Sequence, residues 1–95
     1  MTEKTIERKF RELIRKRGGM SRKFVSPGNA GVPDRIVITP SGEVWFVELK
    51  TINGKLTPLQ KQEIAKLEQQ GANVRALHGW DEAKNFIEEV MPSGI

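Results

Sequence analysis

Residues 44–47, Val44-Trp45-Phe46-Val47, are four consecutive apolar side chains in a run that continues to Lys50. Successive side chains on a β-strand point to opposite faces of the sheet, so this run needs cover on both of its faces. We therefore expect residues 43–50 to form a central strand between two layers of secondary structure. Such a strand favours an α/β domain over an all-helical or a single-layer fold.

The rest of the sequence predicts elements that can surround this strand. Hydrophobic periodicity and turn residues indicate helices at residues 2–17, 58–71 and 81–90, and extended segments at 22–26, 34–39, 43–50 and 73–78. Thr2, Thr57 and Asp81 are the expected N-caps. The order α-β-β-β-α-β-α suits a mixed β-sheet flanked by helices, and 95 residues allow a single domain, residues 1–95.

Charge and composition narrow the possible partners. The chain has 16 Lys and Arg against 12 Asp and Glu, a formal net charge of +4, and much of the basic excess precedes residue 24. Such a region fits either a polyanion partner or a solvated helix face. The absence of cysteine excludes disulfides and thiolate metal sites. No segment resembles a membrane span or a signal peptide, so we expect a cytoplasmic protein without a membrane partner.

The turn between the second and third strands sets a register that brings two acids together. A three-residue loop at 40–42, with its glycine in the left-handed conformation, would pair Thr39 with Glu43. Counting one residue at a time along both strands then places Asp34 opposite Glu48. Directly opposed side chains have Cβ atoms about 4.5–5.5 Å apart, and like charges at that separation repel.

A divalent cation would turn this repulsion into attraction, and two hard oxygen ligands favour Mg²⁺ or Mn²⁺. The backbone carbonyl of Leu49 offers a third ligand. Lys50 shares a strand face with Glu48, so its amine would either orient or deprotonate a water or stabilise charge that develops on a phosphate. The structural alternative is that Asp34 is a turn residue and that Glu48 and Lys50 form an exposed ion pair.

Polar residues on two helices also lie within apolar stripes. On the first helix, Glu7 falls beside Ile14 at the stripe edge, and Glu3 lies in the stripe one turn earlier. Either is a candidate further carboxylate at the metal, directly or through water, and we prefer Glu7 because Glu3 is nearer a fraying end. A boundary residue paired with an arginine is the alternative. On the second long helix, Gln60 lies inside the apolar arc. Its amide is either functional or a core amide whose hydrogen bonds are made within the protein.

Three segments together resemble the VRR-NUC domain of the PD-(D/E)XK nuclease superfamily. They are Gly31-Val32-Pro33-Asp34-Arg35, Val47-Glu48-Leu49-Lys50 and Leu56-Thr57-Pro58-Leu59-Gln60. The resemblance implies a restriction-endonuclease-like core with a metal held by Asp34 and Glu48. It also implies Lys50 in catalysis, Glu7 as the helix-borne acid and Gln60 as an accessory polar residue.

Members of this family that consist of the domain alone, from phages and bacteria, resemble homodimeric Holliday-junction resolvases. The resemblance therefore implies an endonuclease acting on branched DNA, in a bacterial cell or a phage-infected host, that leaves a 3′-hydroxyl and a 5′-phosphate. A catalytically silent DNA-binding module and a monomeric nickase or flap nuclease are the alternatives. The expected DNA-backbone contacts are Arg15, Arg17, Arg22, Lys23, Ser26, Asn29 and Lys55.

Overall fold

A computed structural model describes residues 1–92, and its elements follow the predicted order α-β-β-β-α-β-α. The helices are α1 (Glu3–Lys16), α2 (Pro58–Gln69) and α3 (Gly79–Val90), and the strands are β1 (Met20–Lys23), β2 (Arg35–Ile38), β3 (Val44–Lys50) and β4 (Asn73–His78). No helix within these residues combines the length and apolar character needed to cross a membrane.

The four strands form one mixed sheet in the spatial order β1-β2-β3-β4. Antiparallel pairing joins β1 to β2 and β2 to β3, whereas β3 and β4 are parallel and are connected through α2. The apolar strand β3 is therefore interior, as its composition predicts, and β1 and β4 are the edges.

The β2–β3 hairpin adopts the predicted register. Arg35 pairs with Val47 and Ile38 pairs with Val44. Beyond the ladder, the N–H of Thr39 donates to the carbonyl of Glu43 at 2.9 Å, and Gly42 closes the loop with φ +89°. Continuing the same register toward the other end of the hairpin places position 34 opposite position 48.

The core lies between the sheet and the pair α1 and α3. The stripe of α1 presents Ile6, Phe10 and Ile14, which are at most 1% exposed. They pack with side chains from the sheet and from α3, namely Val37, Val47, Leu49, Leu77, Ala83, Phe86, Ile87 and Met91. The rings of Phe10 and Phe86 stack with centroids 6.3 Å apart. This apolar layer supplies most of the burial that stabilises the domain.

The opposite face of the sheet carries α2 and the segment between β1 and β2, from which Phe24 contacts Phe46 with ring centroids 5.5 Å apart. Thr57 caps this helix as predicted, accepting from the N–H of Gln60, and Pro58 takes the first helical position. No α2 residue is buried, and Leu59 is 53% exposed. The helix therefore covers this face thinly, and Phe46 of β3, on the same face, remains partly exposed.

Two predicted elements, α3 and β1, have wrong boundaries. Asp81 does not cap α3, which begins at Gly79 with His78 in the N-cap position and no side-chain cap. The carboxylate of Glu82 instead accepts from the backbone N–H of His78 at 2.8 Å. Strand β1 spans Met20–Lys23 instead of residues 22–26, since its pairing with β2 starts at Met20, directly after the glycine pair that follows α1, and ends at Lys23 opposite Arg35.

Candidate active site

Asp34 and Glu48 occupy corresponding positions where β2 begins and β3 approaches its end. The register that pairs Arg35 with Val47 sets them opposite each other on the face covered by α2. Oδ1 of Asp34 lies 3.4 Å from the backbone nitrogen of Leu49, so this carboxylate reaches the end of β3. The backbone of Asp34 is fixed in turn by a 2.9 Å hydrogen bond from the N–H of Phe24.

Both carboxyl groups are held in an environment that disfavours their charge. Burial away from water raises the pKa of Asp34 to about 6, against the lowering effect of the Leu49 N–H, and the negative charge of Glu7 raises it further. Burial also raises the pKa of Glu48 to about 7, the charge of Asp34 adds to the increase, and Lys50 opposes it. A pair of acids in this state accommodates a cation readily, because the cation would stabilise both ionised forms.

Two polar groups converge on Oε2 of Glu48. The Lys50 amine lies 3.8 Å away, with a side chain only 16% exposed. The Gln60 amide nitrogen lies 3.4 Å from the same oxygen. The structure therefore brings together four of the residues singled out in the sequence: Asp34, Glu48, Lys50 and Gln60.

Gln60 combines a structural contact with its contact at the site. Its carbonyl oxygen accepts from the backbone N–H of Thr57 at 2.9 Å, which completes the capping box of α2. Its amide nitrogen is then free to face Glu48. The amide is thus oriented by the helix end on which it lies.

Glu7 is placed differently from the other predicted acids. Its carboxylate lies 3.5 Å from the guanidinium of Arg35, whose side chain is 4% exposed. Arg35 pairs with Val47 and so projects from the sheet face opposite that of Asp34. The ion-pair alternative for Glu7 is therefore present in the structure, although Glu7 and Glu3 both still raise the pKa of Asp34.

The donor set fits a hard divalent cation that is completed by non-protein oxygens. Residues 1–92 contain no group of three or more His, Cys, Asp or Glu side chains arranged to hold a metal ion. Asp34 and Glu48 therefore supply two carboxylates and leave positions for waters, a phosphate oxygen or the Leu49 carbonyl. Partial coordination by protein is usual for Mg²⁺, which retains several waters.

Gly31 determines how closely the loop before β2 approaches α2. It has φ +89°, and an added Cβ would lie 2.6 Å from the backbone oxygen of Leu59 and 3.0 Å from the nitrogen of Gln60. The loop backbone therefore packs directly on the first turn of α2. Sequence reasoning noted this glycine only as part of a motif, because a close backbone approach between distant segments leaves no periodic signal.

The predicted DNA contacts fall into different environments. Arg17 is engaged, since its guanidinium donates to the Glu88 carboxylate at 2.7 Å and to the Met91 carbonyl at 2.8 Å. The amide of Asn29 donates to the hydroxyl of Ser26 at 3.0 Å within their loop. Among the basic residues predicted to contact DNA, those that are exposed are Arg15, Arg22, Lys23 and Lys55.

Comparison with known proteins finds similarity over most of the chain. The model of the VRR-NUC domain family matches residues 2–81. The chain is 46% identical over 79 residues to "Putative nuclease p44" of Acyrthosiphon pisum secondary endosymbiont phage 1, an alignment that covers 83% of this chain and 85% of that protein.

Two solved structures share the fold. A VRR_NUC domain superposes with a TM-score of 0.85 at 34% identity, covering 93% of this chain and 96% of that one. A VRR_NUC domain protein superposes with a TM-score of 0.74 at 22% identity, covering 99% and 91% of the two chains. The second likeness concerns the fold alone.

Proposed function

Because this chain belongs to the VRR-NUC nuclease family, we propose that it is a metal-dependent endonuclease that hydrolyses phosphodiester bonds in branched DNA, such as four-way junctions. The observation that carries the proposal is the opposition of Asp34 and Glu48 across the β2–β3 hairpin, with Lys50 beside them. Two acids whose pKa values are raised by burial and mutual repulsion offer no evident structural benefit.

Asp34 and Glu48 would hold Mg²⁺ or Mn²⁺, with the Leu49 carbonyl as a further ligand and Glu7 acting through water. When bound, such an ion polarises the scissile phosphate and makes a bound water more acidic. Lys50 is close enough to Glu48 to orient or deprotonate the attacking water, or to stabilise charge on the phosphate. Gln60 restrains the carboxylate of Glu48 through its amide.

The branched substrate and the homodimer follow from the family resemblance. A four-way junction has approximate two-fold symmetry, and a homodimer presents two equivalent sites related in the same way. Paired cuts by a dimer would distinguish this activity from single cuts by a monomeric nickase or flap nuclease. Mass measurement in solution and analysis of the two product strands are the corresponding tests.

The proposal is tested by cleavage of synthetic duplex, nicked, flap and four-way substrates with Mg²⁺ or Mn²⁺. We expect Asp34→Asn, Glu48→Gln and Lys50→Met each to reduce the rate about a thousandfold, equivalent to roughly 4 kcal/mol of transition-state stabilisation. Asp81→Asn is the matched control, because Asp81 is an exposed acid on α3 that lies outside the site.

Two results would contradict the proposal. Full cleavage by the Asp34, Glu48 and Lys50 variants would place the chemistry elsewhere. Salt-dependent DNA binding by the wild-type protein without cleavage in either metal would identify a catalytically silent binding module.

A further inference from the structure

Beside α1, away from the active site, the surface is basic. Lys4, Arg11 and Arg15 are spaced by seven and four residues, so they lie along one side of α1. Arg22 and Lys23 belong to the edge strand β1, which packs beside that helix. These five cations line two adjoining concavities that share Arg11 and Arg22, and we name this surface the α1–β1 groove.

Within residues 1–92, none of the five cations forms a salt bridge with an acid. Among the acids of α1, Glu12 is paired with Arg8 at 3.3 Å and Glu7 with Arg35 at 3.5 Å. The Arg22 guanidinium donates to the backbone carbonyl of Ser21 at 3.0 Å, a contact that leaves its charge uncompensated. Glu7 also lines the groove, but its partner is Arg35 and, within residues 1–92, it forms no ion pair with any of the five cations.

A buried guanidinium lies at the base of this groove. Arg35 lines the groove with only 4% of its surface exposed. Its contacts are long, 3.3 Å to the Ser21 hydroxyl and 3.5 Å to Glu7, and within residues 1–92 its Nε has no hydrogen-bond partner. Arg35 follows Asp34 in the chain and projects from the other face of the sheet, so the groove lies at the same strand end as the active-site acid but on the opposite face.

We propose that the α1–β1 groove binds the phosphate backbone of one strand of the DNA substrate as it leaves the active site, an inference that rests on the proposed nuclease function. From Lys4 to Arg15 the helix rises about 16 Å. That length is sufficient to contact more than one successive phosphate of a strand. Contacts of this kind position a duplex without reading its sequence.

Charge on an edge strand has another common role, which is to prevent strands of neighbouring molecules from pairing. That role accounts for Arg22 and Lys23 on β1. It does not account for Lys4, Arg11 and Arg15, which lie on a helix and line the same groove. The convergence of both sets favours a polyanion that contacts helix and strand together.

The test is fluorescence anisotropy with a labelled DNA duplex in EDTA, where metal-dependent cleavage is absent, over a series of salt concentrations. The double variant Arg11→Gln/Arg22→Gln should bind at least about tenfold more weakly at 0.1 M salt, and its salt slope should fall by up to about 1.8, since each lost phosphate contact removes about 0.9. The double variant Lys66→Gln/Lys84→Gln has the same net charge and should bind within about twofold of wild type, since both lysines lie on other helices.

Equal affinity and salt slope in the two double variants would overturn the proposal. The variant Arg11→Lys/Arg22→Lys retains the charges and should retain binding, so a loss of binding there would also count against phosphate contacts. If light scattering shows that Arg11→Gln/Arg22→Gln self-associates while it binds DNA normally, then the cations prevent β1 from pairing with a neighbouring molecule, and the proposal fails. Melting curves for each variant separate loss of binding from loss of folding.

Cleavage assays keep this proposal distinct from the nuclease assignment. If Asp34→Asn abolishes cutting while the groove variant binds normally, the active site stands and the groove assignment fails. If the groove variant binds weakly while Asp34→Asn still cuts, the groove binds DNA and the active-site assignment fails.

Discussion

The two faces of the sheet are built very differently. On the face covered by α1 and α3, Phe10, Val47 and Leu49 are fully buried. On the face covered by α2, no helix residue is buried and Phe46 remains partly exposed. Apolar burial is thus concentrated on one face, whereas the other face carries Asp34 and Glu48.

Strand β3 shows how one segment serves both faces. Val47 and Leu49 face the apolar core, while Glu48 and Lys50 alternate with them toward α2. Placing charges on the second face leaves the packed core undisturbed. The comparison indicates that stability depends mainly on the first face, and the proposed function assigns the chemistry to the second. Each prediction below tests part of that division.

A matched pair of phenylalanine substitutions gives the largest expected difference in stability. Phe10→Ala removes a ring that is 0% exposed and should lower the free energy of unfolding by about 3–5 kcal/mol. Phe46→Ala removes a partly exposed ring that contacts Phe24 with centroids 5.5 Å apart, and should cost less than half as much. Urea denaturation followed by circular dichroism measures both, and equal losses would contradict the division between the faces.

The sequence predicts the features that depend on periodicity and on local turns. The alternation along β3, the Thr57-Pro58 helix start and the loop that ends in Gly42 each act within a few residues. The register that this loop sets places Asp34 opposite Glu48. Strand pairing then follows because the register of a hairpin is fixed by its turn.

What the sequence could not predict depends on contacts between distant segments. The sequence predicts Arg17 as a contact to DNA because it is a cation in a basic region. In the structure its guanidinium donates to the carboxylate of Glu88, which lies 71 positions away in the chain. The pairing of Glu7 with Arg35 is likewise decided by how α1 docks on the sheet. Helix α3 starts at Gly79 and not at Asp81. In place of the expected Asp81 cap, the backbone N–H of His78 donates to the carboxylate of Glu82.

Two glycines of one loop test how the thin face is assembled. Gly31 and Gly28 both have positive φ, so alanine at either position incurs backbone strain of about 1 kcal/mol or more. Only at Gly31 would the new Cβ also approach backbone, 2.6 Å from the Leu59 oxygen, whereas nothing lies within 4 Å at Gly28. We expect Gly31→Ala to be destabilising by about 2–3 kcal/mol and to reduce cleavage.

Gly28→Ala is the control for backbone strain alone. It should lower the free energy of unfolding by about 1 kcal/mol and leave cleavage normal. Chemical denaturation and cleavage of the preferred substrate are measured on both variants. Similar losses in both would mean that the contact between the loop and α2 does not position the site.

The raised pKa values predict how the stability of the metal-free protein depends on pH. The pKa of Asp34 is about 6 and that of Glu48 about 7, so the folded protein keeps these protons to a higher pH than the unfolded chain does. Stability from this source is present at pH below the ordinary carboxyl values near 4 and is lost as pH rises through 6 to 7. The melting temperature in EDTA should therefore be higher at pH 5 than at pH 8.

The double variant Asp34→Asn/Glu48→Gln is the control and should show a weaker decrease of melting temperature over the same range. Mg²⁺ should raise the melting temperature of the wild-type protein more at pH 8 than at pH 5, because the ion competes with protons for the carboxylates. The wild-type melting temperature could instead follow the same pH dependence as the double variant and fail to respond to Mg²⁺. That result would contradict the raised pKa values of Asp34 and Glu48 and their binding of a cation.

The smallest expected effect separates the two roles of Gln60. Thr57→Ala removes the hydroxyl that accepts from the Gln60 N–H and should lower stability by about 1 kcal/mol, whereas Thr57→Ser should preserve it. Gln60→Ala leaves that acceptor in place and removes the 3.4 Å contact with Glu48, so it should cost a few tenths of a kcal/mol but slow cleavage about tenfold. If Thr57→Ala slows cleavage as much as Gln60→Ala does, the amide acts only by capping the helix, and the contact with Glu48 makes no separate contribution to the chemistry.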